Sequence, residues 1–252
     1  MTTGSTGPLA GKVALVTGGS RGLGREMVLA FAAAGADVVI ASRKIDNCKE
    51  VAALVEAQGR RALPVAFHVG HWDDVDGLVE QAYAGFGRVD VLVNNAGMSP
   101  LYPDLPSVSE ELWDKVIAVN LKGPFRLTTL VGTRMAAGDG GSIINVSTTG
   151  SLRPAPDMLP YDAAKAGLNT LTEGFAKAFG PTVRVNCIMA GPFLTDIAAS
   201  SWGPAAREHG LPHLALGRAG EPAEIVGAAL YFATDASSFT TGAILRVDGG
   251  IP

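Results

Sequence analysis

Short apolar runs rich in β-branched residues alternate with longer amphipathic stretches along almost all of the 252 residues, and few folds tolerate that order. The runs KVALVT (Lys12–Thr17), DVVIAS (Asp37–Ser42), RALPVAF (Arg61–Phe67), RVDVLVN (Arg88–Asn94), GSIINVS (Gly141–Ser147), TVRVNCI (Thr182–Ile188) and AILRVDG (Ala243–Gly249) are predicted strands. Several are continuously apolar, as strands covered on both faces are. Between them, the pattern predicts helices over Leu23–Ala34, Ile45–Gln58, Val75–Phe86, Glu110–Ala136, Leu159–Phe179 and Pro222–Ala233. Alternating strands and helices with right-handed crossovers make a mainly parallel sheet flanked by helices. The expectation is one doubly wound α/β domain over residues 1–252 with about seven strands. No repeat, linker or low-complexity block divides it. The irregular stretch Phe193–Glu221, broken by prolines and glycines, is expected to form a lid over a ligand crevice.

Composition narrows the function classes. A hydrophobic content of 47% against 17% charged residues suits a well-buried globular domain rather than a disordered chain. A net charge of −4 leaves no broad basic surface, so no nucleic-acid partner is expected. No apolar run reaches the roughly 18 residues that span a bilayer, and the N-terminal MTTGSTGPLAGK lacks a signal-peptide core. Cys48 and Cys187 lie far apart in no metal-like or redox-like spacing and read as reduced thiols. These features predict a cytoplasmic protein without membrane partners.

The segment VTGGSRGLG (Val16–Gly24) ends the first predicted strand and opens the first helix. Gly18, Gly22 and Gly24 allow a tight turn and close backbone approach to a pyrophosphate, whose charge a helix N-terminus favours. An NAD site of the usual kind places an acid at the end of the second strand, on the ribose 2′-OH. Here that end reads IASRK: Ser42, Arg43 and Lys44, with Arg21 inside the glycine turn. Two guanidinium groups at that ribose suit a 2′-phosphate, since Arg bonds phosphate oxygens bidentately. NADP(H) is the expected cofactor, with NAD(H) a possibility.

YDAAK puts Tyr161 and Lys165 four residues apart, on one face of a helix. A phenol titrates near 10 and is a poor base at neutral pH. A neighbouring ammonium favours the phenolate and brings the exchange of its proton toward neutrality. Ten residues upstream of the tyrosine, NVSTTGS ends in four hydroxyl side chains, Ser147, Thr148, Thr149 and Ser151, any of which could assist.

In this order and spacing, TGGSRGLG (Thr17–Gly24), NNAG (Asn94–Gly97), Asn120 in VNLKG, NVSTTG (Asn145–Gly150), YDAAK, AGPFLTD (Ala190–Asp196) and RVDGG (Arg246–Gly250) resemble the short-chain dehydrogenase/reductase family of the roughly 250-residue type. The resemblance covers nearly all of the chain. It implies a Rossmann-like sheet and an oxidoreductase that interconverts a carbonyl and a secondary alcohol. Tyr161 would be its general acid and base, Lys165 would tune that phenol and hold the nicotinamide ribose, and Asn120 would anchor a water between Lys165 and solvent. Counting thirteen residues back from Tyr161, where the family has its active serine, gives Thr148, with Ser147 the competitor on the opposite strand face. Asn94, Ala96 and Gly97 would line the cofactor groove, joined by Gly18, Ser20, Arg21, Gly22, Leu23 and Gly24 from the glycine turn. Ser42, Arg43, His68 and Val69 would reach the adenosine half. Gly191 and Thr195 would reach the nicotinamide, Thr195 bonding its carboxamide. Family members often form tetramers or dimers through the helix bearing the tyrosine and the last strand, so a homo-oligomer is expected. Related roles are a 3-oxoacyl-thioester reductase or a sugar-acid dehydrogenase; a role of another class is a non-catalytic NADP(H) sensor or scaffold.

Two positions depart from the family pattern. His68 stands where an acid usually meets adenine, and its imidazole is expected to stack on or bond that ring. Ala190 replaces a proline, which is expected to loosen the turn before Pro192. HVGHWDD (His68–Asp74) lacks a second ligand cluster, so no metal is expected there. Arg153 is a candidate contact for an acidic or polyhydroxy substrate, and Met98, Leu194 and Trp202 are candidate wall residues.

Overall fold

The computed structural model describes residues 7–199 and 203–252. Trp202 lies outside the described residues. The strands are β1 (Val13–Thr17), β2 (Asp37–Ser42), β3 (Ala62–Ala66), β4 (Val91–Asn94), β5 (Gly141–Thr148), β6 (Val183–Ala190) and β7 (Ile244–Val247). They form one sheet in the order β3-β2-β1-β4-β5-β6-β7, every pair parallel. This is the Rossmann-like, doubly wound architecture expected from the alternation of runs, and each quoted run supplies its strand.

Side-chain alternation explains why those runs are apolar throughout. Ala14, Val16, Val38 and Ile40 point to one face, where α1 (Gly22–Ala33), α2 (Ile45–Ala57) and α9 (Val226–Ala233) cover them with Met27, Phe31, Val55 and Phe232. Val13, Leu15, Val39 and Ala41 point to the other, under Leu78 of α3 (Trp72–Phe86), Leu127 of α5 (Gly123–Ala137) and Ala176 of α6 (Leu159–Phe179). α3 starts three residues before the expected Val75, because His71 caps it and Asp73 and Asp74 favour its first turn.

The stretch predicted as one helix over Glu110–Ala136 is interrupted. α4 (Glu110–Ile117) passes into a π-helical turn, Ala118–Lys122, before α5 begins. Asn120 explains the slip, for its Nδ2 donates to the Val116 carbonyl 2.9 Å away and to the Met98 carbonyl at 2.9 Å, while its Oδ1 accepts from Met98 N–H at 3.2 Å. Gly123 sits at the end of the turn, where any side chain would collide with the Val69 carbonyl. The segment thus docks onto the chain leaving β3 and β4. The predicted Pro222–Ala233 helix begins as a 3₁₀ turn, Pro222–Ile225.

Beyond β6, Phe193 bridges to Gly220, and α7 (Asp196–Ala199) and α8 (Gly203–His209) lie between. The C-terminal residues fasten this excursion, with Ala215 N–H donating to Gly250 O and Leu216 N–H to Gly249 O. Ala190 lies inside β6, paired with Thr148 on one side and Val247 on the other. The sheet ladder fixes its backbone in place of a proline ring, so the expected loosening is not seen.

Candidate active site

Strand order reverses between β1 and β4, and a crevice is expected where chains leave such a point in opposite directions. A cleft of about 730 Å³ opens there, at the C-terminal ends of the strands. It is walled by Gly18, Arg21, Gly22 and Leu23 after β1, by Ser42 and Arg43 after β2, and by His68 and Val69 after β3. Ala96 and Gly97 follow β4, Thr148 ends β5, Tyr161 and Lys165 project from α6, and Gly191 and Thr195 follow β6.

Thr17 fastens the glycine turn to the β4 loop. Its hydroxyl donates to the Val93 carbonyl at 3.1 Å and accepts from Asn95 N–H at 3.0 Å and Ala96 N–H at 3.1 Å. Gly18 has φ +65°, and a side chain there would come 2.8 Å from Asn95 Nδ2. Gly24 faces away from the cleft; a side chain on it would collide with Gly18 O, so its bareness lets α1 close on the turn. Ser20 also supports from behind, donating to Ser42 Oγ at 3.0 Å. No side chain caps α1 and no acid occupies its first turn. Its leading N–H groups, uncapped beside a bare glycine turn, fit a pyrophosphate.

Arg43 lines the cleft and lies close enough to His68 to help depress its pKa, burial and His71 being the larger causes. His68 is held by Gly70 N–H donating to its Nδ1 and by stacking on His71 at 4.2 Å. Its face is thus already taken by a second imidazole. Arg21 was expected beside Arg43, but its Nη1 lies 3.6 Å from Asp196 Oδ2 on α7. That exposed pair is weak enough to exchange for a phosphate.

Asn94 does not reach the cleft. It is buried, and its Nδ2 donates to Thr128 Oγ1 at 2.9 Å and Asn145 Oδ1 at 2.8 Å. Asn145 continues to Thr172 Oγ1 at 2.9 Å, so the chain of bonds crosses from β4 to β5 and α6. Asn95, one residue on and so on the opposite side of the strand end, is the asparagine that lines the cleft. Strand parity at the end of VLVN was the signal for that difference. Asn120 is fully buried in the π turn; its carboxamide lies just beneath Gly97, where an added side chain would come 3.0 Å from Oδ1 and 3.7 Å from Lys165 Nζ.

Thr148 and Tyr161 meet through a hydrogen bond between their hydroxyls. Ser147 turns the other way, its Oγ buried and 3.3 Å from the Lys165 carbonyl that accepts from it. Thr149 is buried and Ser151 donates to Thr148 O at 2.6 Å, so both shape the loop. Burial pushes the Tyr161 phenol up to about 12, the Asp162 carboxylate adding to the rise and the Thr148 bond opposing it. Lys165 was expected to lower that value, but here its Nζ donates to the Val146 carbonyl at 2.7 Å, 5.8 Å from the centre of the Tyr161 ring. The same burial brings the ammonium down to about 8. Both groups are therefore poised on either side of neutrality by exclusion of water.

The substrate end of the cleft adds Met98, Ser99, Arg153, Met158, Leu211 and Ile251. Ser99 is notable, for its hydroxyl is buried without a partner among the described residues. Leu194 lies outside this wall, tied by its N–H to Gly220 O. No group of His, Cys, Asp or Glu among the described residues is arranged to hold a metal, and no described helix is long and apolar enough to cross a membrane.

Residues 18–252 match the family model described as Enoyl-(Acyl carrier protein) reductase. The chain is 36% identical over 244 residues to the 3-oxoacyl-[acyl-carrier-protein] reductase FabG of Thermotoga maritima, covering 96% of this chain and 98% of that protein. It is 34% identical over 247 residues to dehydrogenase/reductase SDR family member 4 of Homo sapiens, covering 97% and 89% of the two. Among solved structures, the blue fluorescent protein from a metagenomic library in complex with NADPH superposes with a TM-score of 0.89 at 33% identity, covering 96% of this chain and 98% of that one.

Proposed function

The chain belongs to the short-chain dehydrogenase/reductase family, an oxidoreductase that binds NAD(P)(H) and acts on small molecules, and on that premise we propose that it interconverts carbonyls and secondary alcohols with NADP(H) as preferred cofactor and Tyr161 as the proton carrier. The observation that carries this reading is the meeting of Tyr161, Thr148 and Lys165 in one cleft with the uncapped start of α1. When bound, the cofactor supplies or takes the hydride. The α1 amides hold its pyrophosphate and Arg43 its 2′-phosphate, with Arg21 joining after release from Asp196. Thr148 donates to the substrate oxygen and keeps it within reach of the Tyr161 hydroxyl, which protonates that oxygen in reduction and receives the proton in oxidation. Lys165 holds the cofactor ribose and, when charged, favours the phenolate. Asn120 keeps the π turn open beneath Gly97, where the turn's carbonyls meet the water that connects Lys165 to solvent.

Residues 193–221 serve as the lid, since Leu211 and His213 line the cleft from that excursion. A homo-oligomer through α6 and β7 is supported by the position of β7 at the sheet edge with Leu245 exposed. Buried, unpaired Cys48 and Cys187 suit a reducing compartment such as the cytoplasm. The relationship to FabG supports 3-oxoacyl thioesters among the carbonyls to be tried.

The test is oxidation of NADPH and of NADH with a panel of ketones and 3-oxoacyl thioesters. Turnover is expected with NADPH, falling by about 100-fold or more in Tyr161→Phe. Arg43→Ala is expected to weaken NADPH by about 10-fold and leave NADH unchanged. Equal efficiency with NADH overturns the preference, and NADPH binding without turnover of any carbonyl points to a sensor.

A further inference from the structure

Asp162 follows the tyrosine in YDAAK, and its side chain turns under the loop rather than toward the cleft. It is 3% exposed. Its Oδ2 accepts from Ala155 N–H at 2.9 Å. Its Oδ1 is buried and receives no hydrogen bond from the described residues. Gly150 lies directly against it, for a side chain there would collide with that oxygen, and Gly150 N–H in turn donates to Thr148 Oγ1 at 3.3 Å. The carboxyl therefore joins the loop that carries Thr148 to the helix that carries Tyr161. A second tie, Asn169 Nδ2 to Ser151 Oγ at 2.8 Å, lies two turns further along α6.

We propose that Asp162 is a positioning residue for the proton step: its carboxyl clamps the Thr148 loop onto α6, and its ionisation state sets how tightly the Tyr161 phenol holds its proton. This rests on the proposed role of Tyr161. A buried oxygen without a donor is costly as a carboxylate and far less so as a neutral acid. Burial accordingly raises the Asp162 pKa, the Ala155 N–H bond lowers it, and Asp157 across the loop raises it again. The other ionisable groups on the surrounding elements are Arg153 on the loop, Tyr102, whose hydroxyl donates to Pro156 O, and Tyr161 and Lys165 on α6, the last committed to Val146 O. Once ionised, Asp162 places a negative charge beside the phenol and disfavours a second one there, which is the direction recorded for Tyr161. At a pH below its ionisation, Asp162 is neutral and Tyr161 gives up its proton more readily. Above it, Tyr161 becomes the weaker acid and reduction slows.

The pH profile of kcat for ketone reduction separates this from a merely structural role. Wild type is expected to show a lower inflection from Asp162 and an upper one from Tyr161. Asp162→Asn keeps an acceptor for Ala155 N–H, so KM should stay within about twofold, while the lower inflection disappears and the upper one moves down by about one pH unit. Asp162→Ala also loses the clamp, and its KM should rise about tenfold. Asp157→Asn, an exposed change, should move only the lower inflection to lower pH. A profile of Asp162→Asn that overlays wild type overturns the proposal. If that variant does not fold, an unmoved lower inflection in Asp157→Asn does so instead. Loss of activity in Tyr161→Phe together with such an overlay removes the role of Asp162 alone; retained activity in Tyr161→Phe removes the parent reading.

Discussion

Thr148 carries a methyl group beside the one hydroxyl that bonds Tyr161, and that methyl takes space from the substrate oxygen. Thr148→Ser is therefore expected to retain or raise kcat/KM, whereas Thr148→Ala should lose about 100-fold, measured by NADPH oxidation with the best ketone. Ser147→Ala removes a bond to the Lys165 carbonyl rather than to substrate, and should cost about 1 kcal/mol of stability with a smaller loss of rate. The opposite ranking would assign the role to Ser147. Tyr161, Lys165 and Thr148 were legible because helix and strand periodicities fix which side chains share a face. The partners of those side chains were not. Arg21 spends its charge on Asp196 and Lys165 its ammonium on Val146 O, and both depend on segments distant in sequence. Asn94 was misplaced by one residue for a local reason, since adjacent strand residues face opposite sides.

At the level of elements, strands and most helices follow from periodicity, and the informative failure is Glu110–Ala136. Its hydrophobic pattern reads as one helix, yet Asn120 takes up the Val116 carbonyl and both backbone groups of Met98, leaving a π turn. Nothing in a window of helix propensity encodes a bond to residue 98. Gly123 supplies the test. Ala is ordinarily the better helix former, but here an added methyl meets the Val69 carbonyl. Gly123→Ala is expected to destabilise the protein by about 2 kcal/mol or more and lower its melting temperature. A rise would show that the docking of the turn on β3 is loose.

Across the whole molecule, charge is distributed unevenly. The net charge is −4, but Arg21, Arg43, Lys115 and Arg153 line the cleft against a single acid, Asp196. An anionic dinucleotide is thus drawn to one positive recess on an acidic protein. NADPH affinity should fall several-fold between low and 0.5 M salt as these attractions are screened, and less steeply for Arg43→Ala. A salt-independent Kd, measured by fluorescence titration, would show that the recess binds by shape alone.

The strand order has a consequence for synthesis. β1 ends up between β2 and β4, but residues 18–90 separate it from the β4 strand at Val91. A ribosome therefore releases β1, β2 and β3 with one fully apolar edge bare until the middle of the chain emerges. Such an edge invites pairing with other nascent chains. The phosphate-binding turn exists only after that wait, because Thr17 needs Val93, Asn95 and Ala96 to hold its shape. Cofactor cannot rescue the early intermediate, and yield on expression depends on how quickly the second half of the chain follows the first.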